Sequence, residues 1–310
     1  MRKYPSPALS DYDVVIVGAS NAGLSAALVL GRARRRVLVL DGGPPRNARS
    51  FHSHSFFTRD GAAPQDVLRI GREQLRPYDV EICAIEAQKV HRTDEDLVLI
   101  TAGGASVSAP TLILATGVAD ELPPVRGLAD WWGRGVYHCP YCHGWENRYN
   151  RVAVYGCGEA GYHQAVLLQQ WSPQLTLCTD GPDGLTPPQR HHLTQLGVTV
   201  VETPVAALDG TAKCLVALEF TDGNRLALDA LFVRPVQRQR SDLATQLGCA
   251  LSPDGVYVHV NETGLTSVPG VYAVGDMTGP FQQALLAAAS GTRAAAALNN
   301  ELILRSCVTA

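Results

Sequence analysis

One pattern occurs twice in this chain and limits what it can fold into. A short β-branched strand runs straight into a glycine-rich turn, then a helix, then a second short strand. In the first copy Asp13–Val17 leads into Gly18-Ala19-Ser20-Asn21-Ala22-Gly23. A helix with Leu24, Ala27, Leu28 and Leu30 at apolar spacing follows, and the strand Val37–Leu40 ends at Asp41. In the second copy the strand is Arg151–Tyr155 and the turn Gly156-Cys157-Gly158-Glu159-Ala160-Gly161. The helix Tyr162–Gln170 and the strand Leu175–Cys178 complete it. Such a unit forces its two strands to lie parallel, with the helix crossing between them. Each copy then carries a hairpin signal. Gly103-Gly104 separates Leu97–Thr101 from Ala105–Ala109, and Asp222-Gly223-Asn224 separates Leu215–Phe220 from Arg225–Leu228. Leu112–Ala115, ending in Thr116-Gly117, and Leu231–Arg234 each supply a further strand. The duplication predicts the α/β class, with two Rossmann-like, three-layer (ββα) dinucleotide-binding domains.

After about residue 245 the character changes. Gly270-Val271-Tyr272-Ala273-Val274-Gly275-Asp276 reads as a strand entering a glycine–acid turn, and Gln282–Leu304 as an Ala/Leu-rich helix. This stretch completes no third copy, so it is expected to return to the first domain. The expected domains are 1–119 with 245–310, and 120–244 inserted between them. A chain of 310 residues is long enough for two such cores.

Composition removes several function classes. Hydrophobic residues at 46% and charged ones at 18% exclude a disordered chain. A net charge of −3 gives no global positive field for nucleic acid or an anionic membrane, and Arg32–Arg36 reads as the solvated end of a helix. The N-terminus has no apolar h-region, and there is no apolar run of about 18 residues or more. Eight cysteines are too sparse for a secreted disulfide framework. The expectation is a soluble, cytoplasmic protein.

The glycine turns point to a phosphate ligand. A pyrophosphate needs backbone N–H groups and a helix start at close range, which Cβ atoms obstruct. Gly18 and Gly23 fit that need, while Ser20 stands where a middle glycine is usual. Asp41, eighteen residues past Gly23, can accept both hydroxyls of an adenosine ribose. The competing reading is an ordinary strand–helix turn. The second turn has all three glycines, but Cys178-Thr179-Asp180-Gly181 offers no cation for a 2′-phosphate. Asp180 would repel one, although it could accept a 2′-hydroxyl. An inherited fold with a weak or absent nicotinamide site is the competing reading there.

Between the copies lies Tyr137-His138-Cys139-Pro140-Tyr141-Cys142-His143-Gly144. Two cysteines three apart can close a small redox-active disulfide ring, and a helix start or imidazole favours the attacking thiolate. Zinc would need four ligands, and His138 and His143 sit too close to the cysteines to join them readily on one ion. No metal is expected. The six other cysteines read as packing residues.

In order and spacing these elements resemble the low-molecular-weight thioredoxin reductase family over nearly the whole chain. The matching pieces are the first glycine turn, Ala115-Thr116-Gly117, Cys139 to Cys142, the second turn, Gly275-Asp276, and Gln283-Ala284 opening the last helix. The resemblance implies FAD in the first domain, a nicotinamide-type second domain and a homodimer. It implies FAD contacts from Gly18, Ser20, Asn21, Ala22, Gly23, Asp41, Thr116 and Gly117. It implies further contacts from Gly275, Asp276 at the ribityl chain, and Gln283 and Ala284 at the pyrimidine end.

The departures all fall on the pyridine-nucleotide side. His143 replaces an Asp, Thr179-Asp180-Gly181 replaces a His-Arg-Arg cluster, and Arg234-Pro235-Val236 replaces an Ile-Gly-His-type turn. The Cys-Pro-Tyr-Cys-His-Gly run and His54-Ser55-Phe56-Phe57-Thr58-Arg59-Asp60-Gly61 are similar instead to the FAD-dependent dithiol oxidases of gliotoxin, holomycin and romidepsin type. That implies an NADPH-independent oxidase. A substrate thiolate would attack Cys139, Cys142 would face the flavin, and oxygen would take the electrons. His143, with an ordinary imidazole pKa of about 6.5, is the expected acid/base, with His138 and His54 as alternatives. The substrate is a dithiol or disulfide, either a small molecule or a thioredoxin-like protein. The second enzyme reading is a thioredoxin or disulfide reductase drawing on NAD(P)H, ferredoxin or another donor. The third is a flavin-bearing redox sensor.

Overall fold

The computed structural model describes residues 12–94 and 96–308. The chain forms β1 (Val14–Val17), α1 (Asn21–Arg32), β2 (Val37–Leu40), α2 (Pro64–Leu75) and β3 (Val80–Cys83). There follow β4 (Ala87–Arg92), β5 (Leu97–Thr101), β6 (Ser106–Ala109), β7 (Thr111–Leu114) and β8 (Val118–Glu121). The middle holds α3 (Leu128–Trp131), β9 (Val136–Tyr137), α4 (Pro140–His143), β10 (Val152–Tyr155), α5 (Gly158–Leu168) and β11 (Leu175–Cys178). Next come α6 (Pro187–Gln195), β12 (Thr199–Val201), β13 (Val205–Gly210), β14 (Leu215–Phe220) and β15 (Arg225–Ala227). The last elements are β16 (Ala230–Val233), β17 (Val236–Gln239), α7 (Leu243–Gln246), β18 (Val271–Ala273) and α8 (Ala284–Val308).

The chain divides into two compact units. Among the described residues the first holds 12–48, Ala63–Ala119 and 237–308; the second holds Arg49–Ala62 and Asp120–Val236. The division differs from the expected one in two places. Arg49–Ala62 belongs with the second unit, and the return to the first comes at Gln237.

In the first unit five strands make a parallel sheet in the order β18-β7-β1-β2-β3. Every residue of β1, β2 and β7 is buried, as a sheet covered on both faces requires. On one face α1 and α8 pack through Ala22, Ala26, Ala27, Leu30, Ala294, Ala295 and Leu298. The helices approach closely because Gly291 faces Ala22; a Cβ there would lie 2.0 Å from the Ala22 carbonyl oxygen. The antiparallel β4-β5-β6 meander covers the other face with Val90, Leu97, Leu99 and Val107. This is the three-layer arrangement that the first glycine turn and hairpin predict.

The second unit repeats the plan. Its parallel sheet runs β12-β11-β10-β16-β9, with the antiparallel β13-β14-β15 meander on one face. Leu168, Leu177, Leu193 and Phe232 fill the opposite layer under α5 and α6. β8 and β17 form a separate two-stranded ribbon.

Candidate functional site

In a parallel sheet, ligands bind beyond the carboxyl ends of the strands. In the first unit every residue that the resemblance implicates sits at that edge or on the helix start next to it. Gly18 follows β1, Asp41 follows β2, Thr116 and Gly117 follow β7, and Gly275 and Asp276 follow β18. Ser20 is the N-cap of α1 in extended conformation, with Asn21, Ala22 and Gly23 forming its first turn. Gln283 immediately precedes α8, and its carbonyl accepts the Ala287 N–H at 2.9 Å.

The glycines are sterically required. A Cβ on Gly18 would lie 2.3 Å from the Ala115 carbonyl oxygen, and Gly18 has φ +112°. A Cβ on Gly23 would lie 1.8 Å from the Gly18 carbonyl oxygen. The turn is therefore a bare backbone cradle at a helix start, and Gly117 (φ +71°) adds backbone with nothing within 4 Å of its Cβ position. Ser20 keeps its hydroxyl out of any side-chain cap bond. Thr116 Oγ1 reaches the Met277 sulfur at 3.5 Å, holding the β7 end against the 3-10 turn Gly275–Thr278. Glycines for the pyrophosphate, a carboxylate for the ribose and a second carboxylate beside α8 fit FAD. The carboxylates have partners of their own, Arg72 at 2.9 Å from Asp41 and Arg46 at 3.1 Å from Asp276. Sequence reasoning passed over both arginines, because neither lies in a motif.

In the second unit the turn that carries Cys139 and Cys142 leaves the carboxyl end of β9. Cys139 is the N-cap of α4, its carbonyl accepting the N–H groups of Cys142 and His143 at 3.2 Å. Both cysteines are half-buried. The helix has four residues, so its dipole is a small part of any thiol activation. Gly144 closes the turn against the Trp171 ring, where a Cβ would lie 2.8 Å from the indole. The segment 49–62 folds back on this turn, itself closed by the Ser53–Ala62 bridge. It brings Ser50 and His54 to the site, a placement no local spacing encodes. The His143 ring stacks on Tyr137 at 4.2 Å between centroids and meets His54 edge-on at 6.5 Å. His54 has a carboxylate at each ring nitrogen, Asp60 at 3.7 Å and Glu146 at 3.4 Å.

Ser50 donates its only hydroxyl proton to the His52 carbonyl at 2.8 Å. Ser50 Oγ also lies 3.3 Å from His143 Nε2 and so ties the ring to its own loop. The other ring nitrogen, Nδ1, is buried with no hydrogen-bond partner among the described residues. Burial, followed by His138 and His54, pushes the His143 pKa down to about 4. This corrects the expectation of an ordinary imidazole. At neutral pH the ring is uncharged, with one nitrogen able to accept a proton.

The second glycine turn is closed from within. Gly161 packs as Gly23 does, its Cβ position 2.5 Å from the Gly156 carbonyl oxygen. The Gly158 N–H, which starts α5, donates to the Asp183 carbonyl at 2.6 Å, and the Gly184 Cβ position lies 3.5 Å from the Gly158 Cα. Glu159 occupies the first turn and takes a hydrogen bond from Gln189. Asp183 pairs with Arg190, which also holds Glu202 at 2.8 Å. Asp180 is tied into its own unit. Its carboxylate takes the Tyr155 hydroxyl at 2.6 Å and the Val205 N–H at 2.6 Å. Among the described residues no group of three or more His, Cys, Asp or Glu is placed to hold a metal ion. No described helix is long and apolar enough to cross a membrane.

Fold and sites together define a class, that of flavin-dependent thiol–disulfide oxidoreductases built on two dinucleotide folds. Residues 12–291 match the pyridine nucleotide-disulphide oxidoreductase family, and the chain belongs to it. It is 30% identical to thioredoxin reductase sirT of Leptosphaeria maculans, over 94% of both chains. Among solved structures it is similar to HlmI, with 38% identity, TM-score 0.92, and 96% and 94% of the two chains covered. An oxidoreductase from Agrobacterium tumefaciens shows 35% identity and TM-score 0.88, covering 95% of this chain and 99% of that one. The chain is an FAD-dependent disulfide oxidoreductase of the thioredoxin reductase-like kind.

Proposed function

We propose that the chain is an NADPH-independent dithiol oxidase that closes a disulfide in its substrate and uses oxygen as final acceptor. The observation that carries this reading is the closed second glycine turn. The Gly158 N–H is already bonded to Asp183 and the helix start bears Glu159, so a nicotinamide pyrophosphate would meet a used donor and a negative charge. We assign FAD to the first unit, held by Gly18, Ser20, Asn21, Ala22, Gly23, Asp41, Thr116, Gly117, Gly275, Asp276, Gln283 and Ala284. We assign Cys139, Cys142 and His143 to catalysis.

The chemistry begins with a proton. The His143 imidazole takes it from a substrate thiol, the thiolate attacks Cys139 Sγ, and the Cys139–Cys142 bond breaks to release the Cys142 thiolate. The second substrate thiol then attacks the mixed disulfide at the substrate sulfur. The substrate leaves oxidised, and the cysteine pair retains two electrons. Bound FAD supplies what a cysteine pair lacks, acceptance of an electron pair and its delivery to oxygen. The two protons given up by the substrate thiols pass to the released Cys142 and Cys139 thiolates, so His143 starts each exchange neutral. We further assign the chain to the cytoplasm, where its isolated cysteines stay reduced, and to a homodimer.

Anaerobic reduction tests the direction. A small dithiol should bleach the FAD absorbance of the purified protein within the turnover time, and NADPH should leave it unchanged. Rapid bleaching by NADPH would establish the reductase reading instead. Ser at Cys139 or at Cys142 should abolish dithiol turnover with FAD retained; activity surviving in both variants removes the assigned exchange.

A further inference from the structure

The FAD cradle has an electrostatic deficit. FAD brings an ionised pyrophosphate, yet Gly18 to Leu24 contains no lysine or arginine, and Asp41 and Asp276 add negative charge. Two arginines from outside the motifs correct this. Arg72, in the last turn of α2, places Nη2 2.9 Å from Asp41 Oδ2 and 3.4 Å from the Ala19 carbonyl within the glycine turn. Arg46, in the loop after β2, places Nη1 3.1 Å from Asp276 Oδ2 and 2.6 Å from Gln282 Oε1. Gln282 precedes the Gln283-Ala284 helix start and exchanges two amide hydrogen bonds with Gln237, each 2.9 Å. Gln237 in turn accepts the Tyr257 hydroxyl at 2.8 Å. The Arg46–Asp276 side chains are 17% and 23% exposed, which limits screening by solvent.

We propose that Arg46 and Arg72 are positioning residues of the FAD site: each orients one ligand carboxylate and offsets its negative charge. The proposal rests on the FAD assignment above. A carboxylate has about four acceptor positions, so one held by an arginine can still accept cofactor hydroxyls. A charge-assisted pair also fixes its rotamer before the cofactor arrives. The two arginines come from different elements, so the two ends of the site are set independently.

Reconstitution of the apoprotein tests this by fluorescence titration with FAD at low and high salt. Arg46→Gln and Arg72→Gln should each weaken FAD affinity about tenfold or more and flatten its salt dependence. Arg46→Lys and Arg72→Lys, which keep the charge and lose the fork, should fall between those and wild type. The double variant Arg46→Gln/Asp276→Asn should bind FAD no more weakly than Asp276→Asn alone, because the arginine acts through that carboxylate. Should a Gln variant melt early as apoprotein, the Lys variants decide. Affinities within about twofold of wild type at both salt levels overturn the proposal, as does full additivity in the double variant. Failure of the FAD assignment would look different: wild-type apoprotein would take up no FAD.

Discussion

His143 shows how far a single residue can depart from its model chemistry once it is packed. Its neighbours in the folded chain come from positions 50, 54 and 137, and only the last is close in sequence. Burial, then His138 and His54, lowers its pKa to about 4. In the unfolded chain the ring takes up a proton near pH 6.5; in the folded chain it does so only near pH 4. The unfolded state therefore binds more protons across that window, and stability must fall as pH drops from about 6.5 toward 4. The shift corresponds to roughly 3 kcal/mol at most for this one group. Urea titrations at pH 7, 5.5 and 4.5 should show this loss in wild type and less of it in His143→Asn. Equal slopes in the two proteins would place the pH dependence elsewhere. Rate should follow protonation in the opposite sense to a general acid: dithiol reduction of His143→Asn falls by about 10²-fold or more, through loss of the acceptor. Stopped-flow flavin bleaching reads that loss directly.

At the scale of elements the two strand–turn–helix crossings differ in use although they are built alike. A methyl at Gly23 would sit 1.8 Å from the Gly18 carbonyl oxygen and one at Gly161 2.5 Å from that of Gly156. Neither can be accommodated without moving the helix, at a cost of about 1–3 kcal/mol or more. Gly23→Ala displaces the start of α1 and should release FAD, seen as a lower visible-to-ultraviolet absorbance ratio. Gly161→Ala should lower the melting temperature while each folded chain keeps its FAD. Equal FAD loss in both variants would contradict a cofactor site confined to the first crossing. These crossings were legible in the sequence because glycine identity, strand hydrophobicity and helix spacing are all local signals. So was the order of the residues at the carboxyl edge of the first sheet, since each one follows a strand. The arrangement around the Cys139–Cys142 turn was not. Ser50 lies 93 positions from His143, and the closure of Gly158 by Asp183 is a backbone bond with no residue signature. The engagement of Asp180 by Tyr155 and Val205 was not legible either, since it depends on strands that only meet in three dimensions.

For the whole molecule, assembly bears on stability and on how the FAD unit is presented. The last helix buries Ala294, Ala295 and Leu298 against its own unit. It also leaves Leu286 45% and Leu304 67% exposed, with Phe281 before it at 87%. Large apolar side chains left in water along one element are an unfavourable surface for a lone chain, and a second copy would cover them. The proposed homodimer is therefore expected to use this helix. Sedimentation should give twice the chain mass at micromolar concentration. Leu304→Glu should shift the equilibrium toward monomer, because a carboxylate would have to be desolvated in the contact. Leu304 lies near the carboxyl end of α8, far along the chain from Gln283 and Ala284, so the variant should retain FAD. A wild type that sediments as monomer would remove the homodimer. A dimer unaffected by Leu304→Glu would move the contact to another face and leave these side chains without an assigned partner. A monomeric variant with full dithiol turnover would show that one chain contains the complete catalytic apparatus, and the dimer would then serve to cover apolar surface.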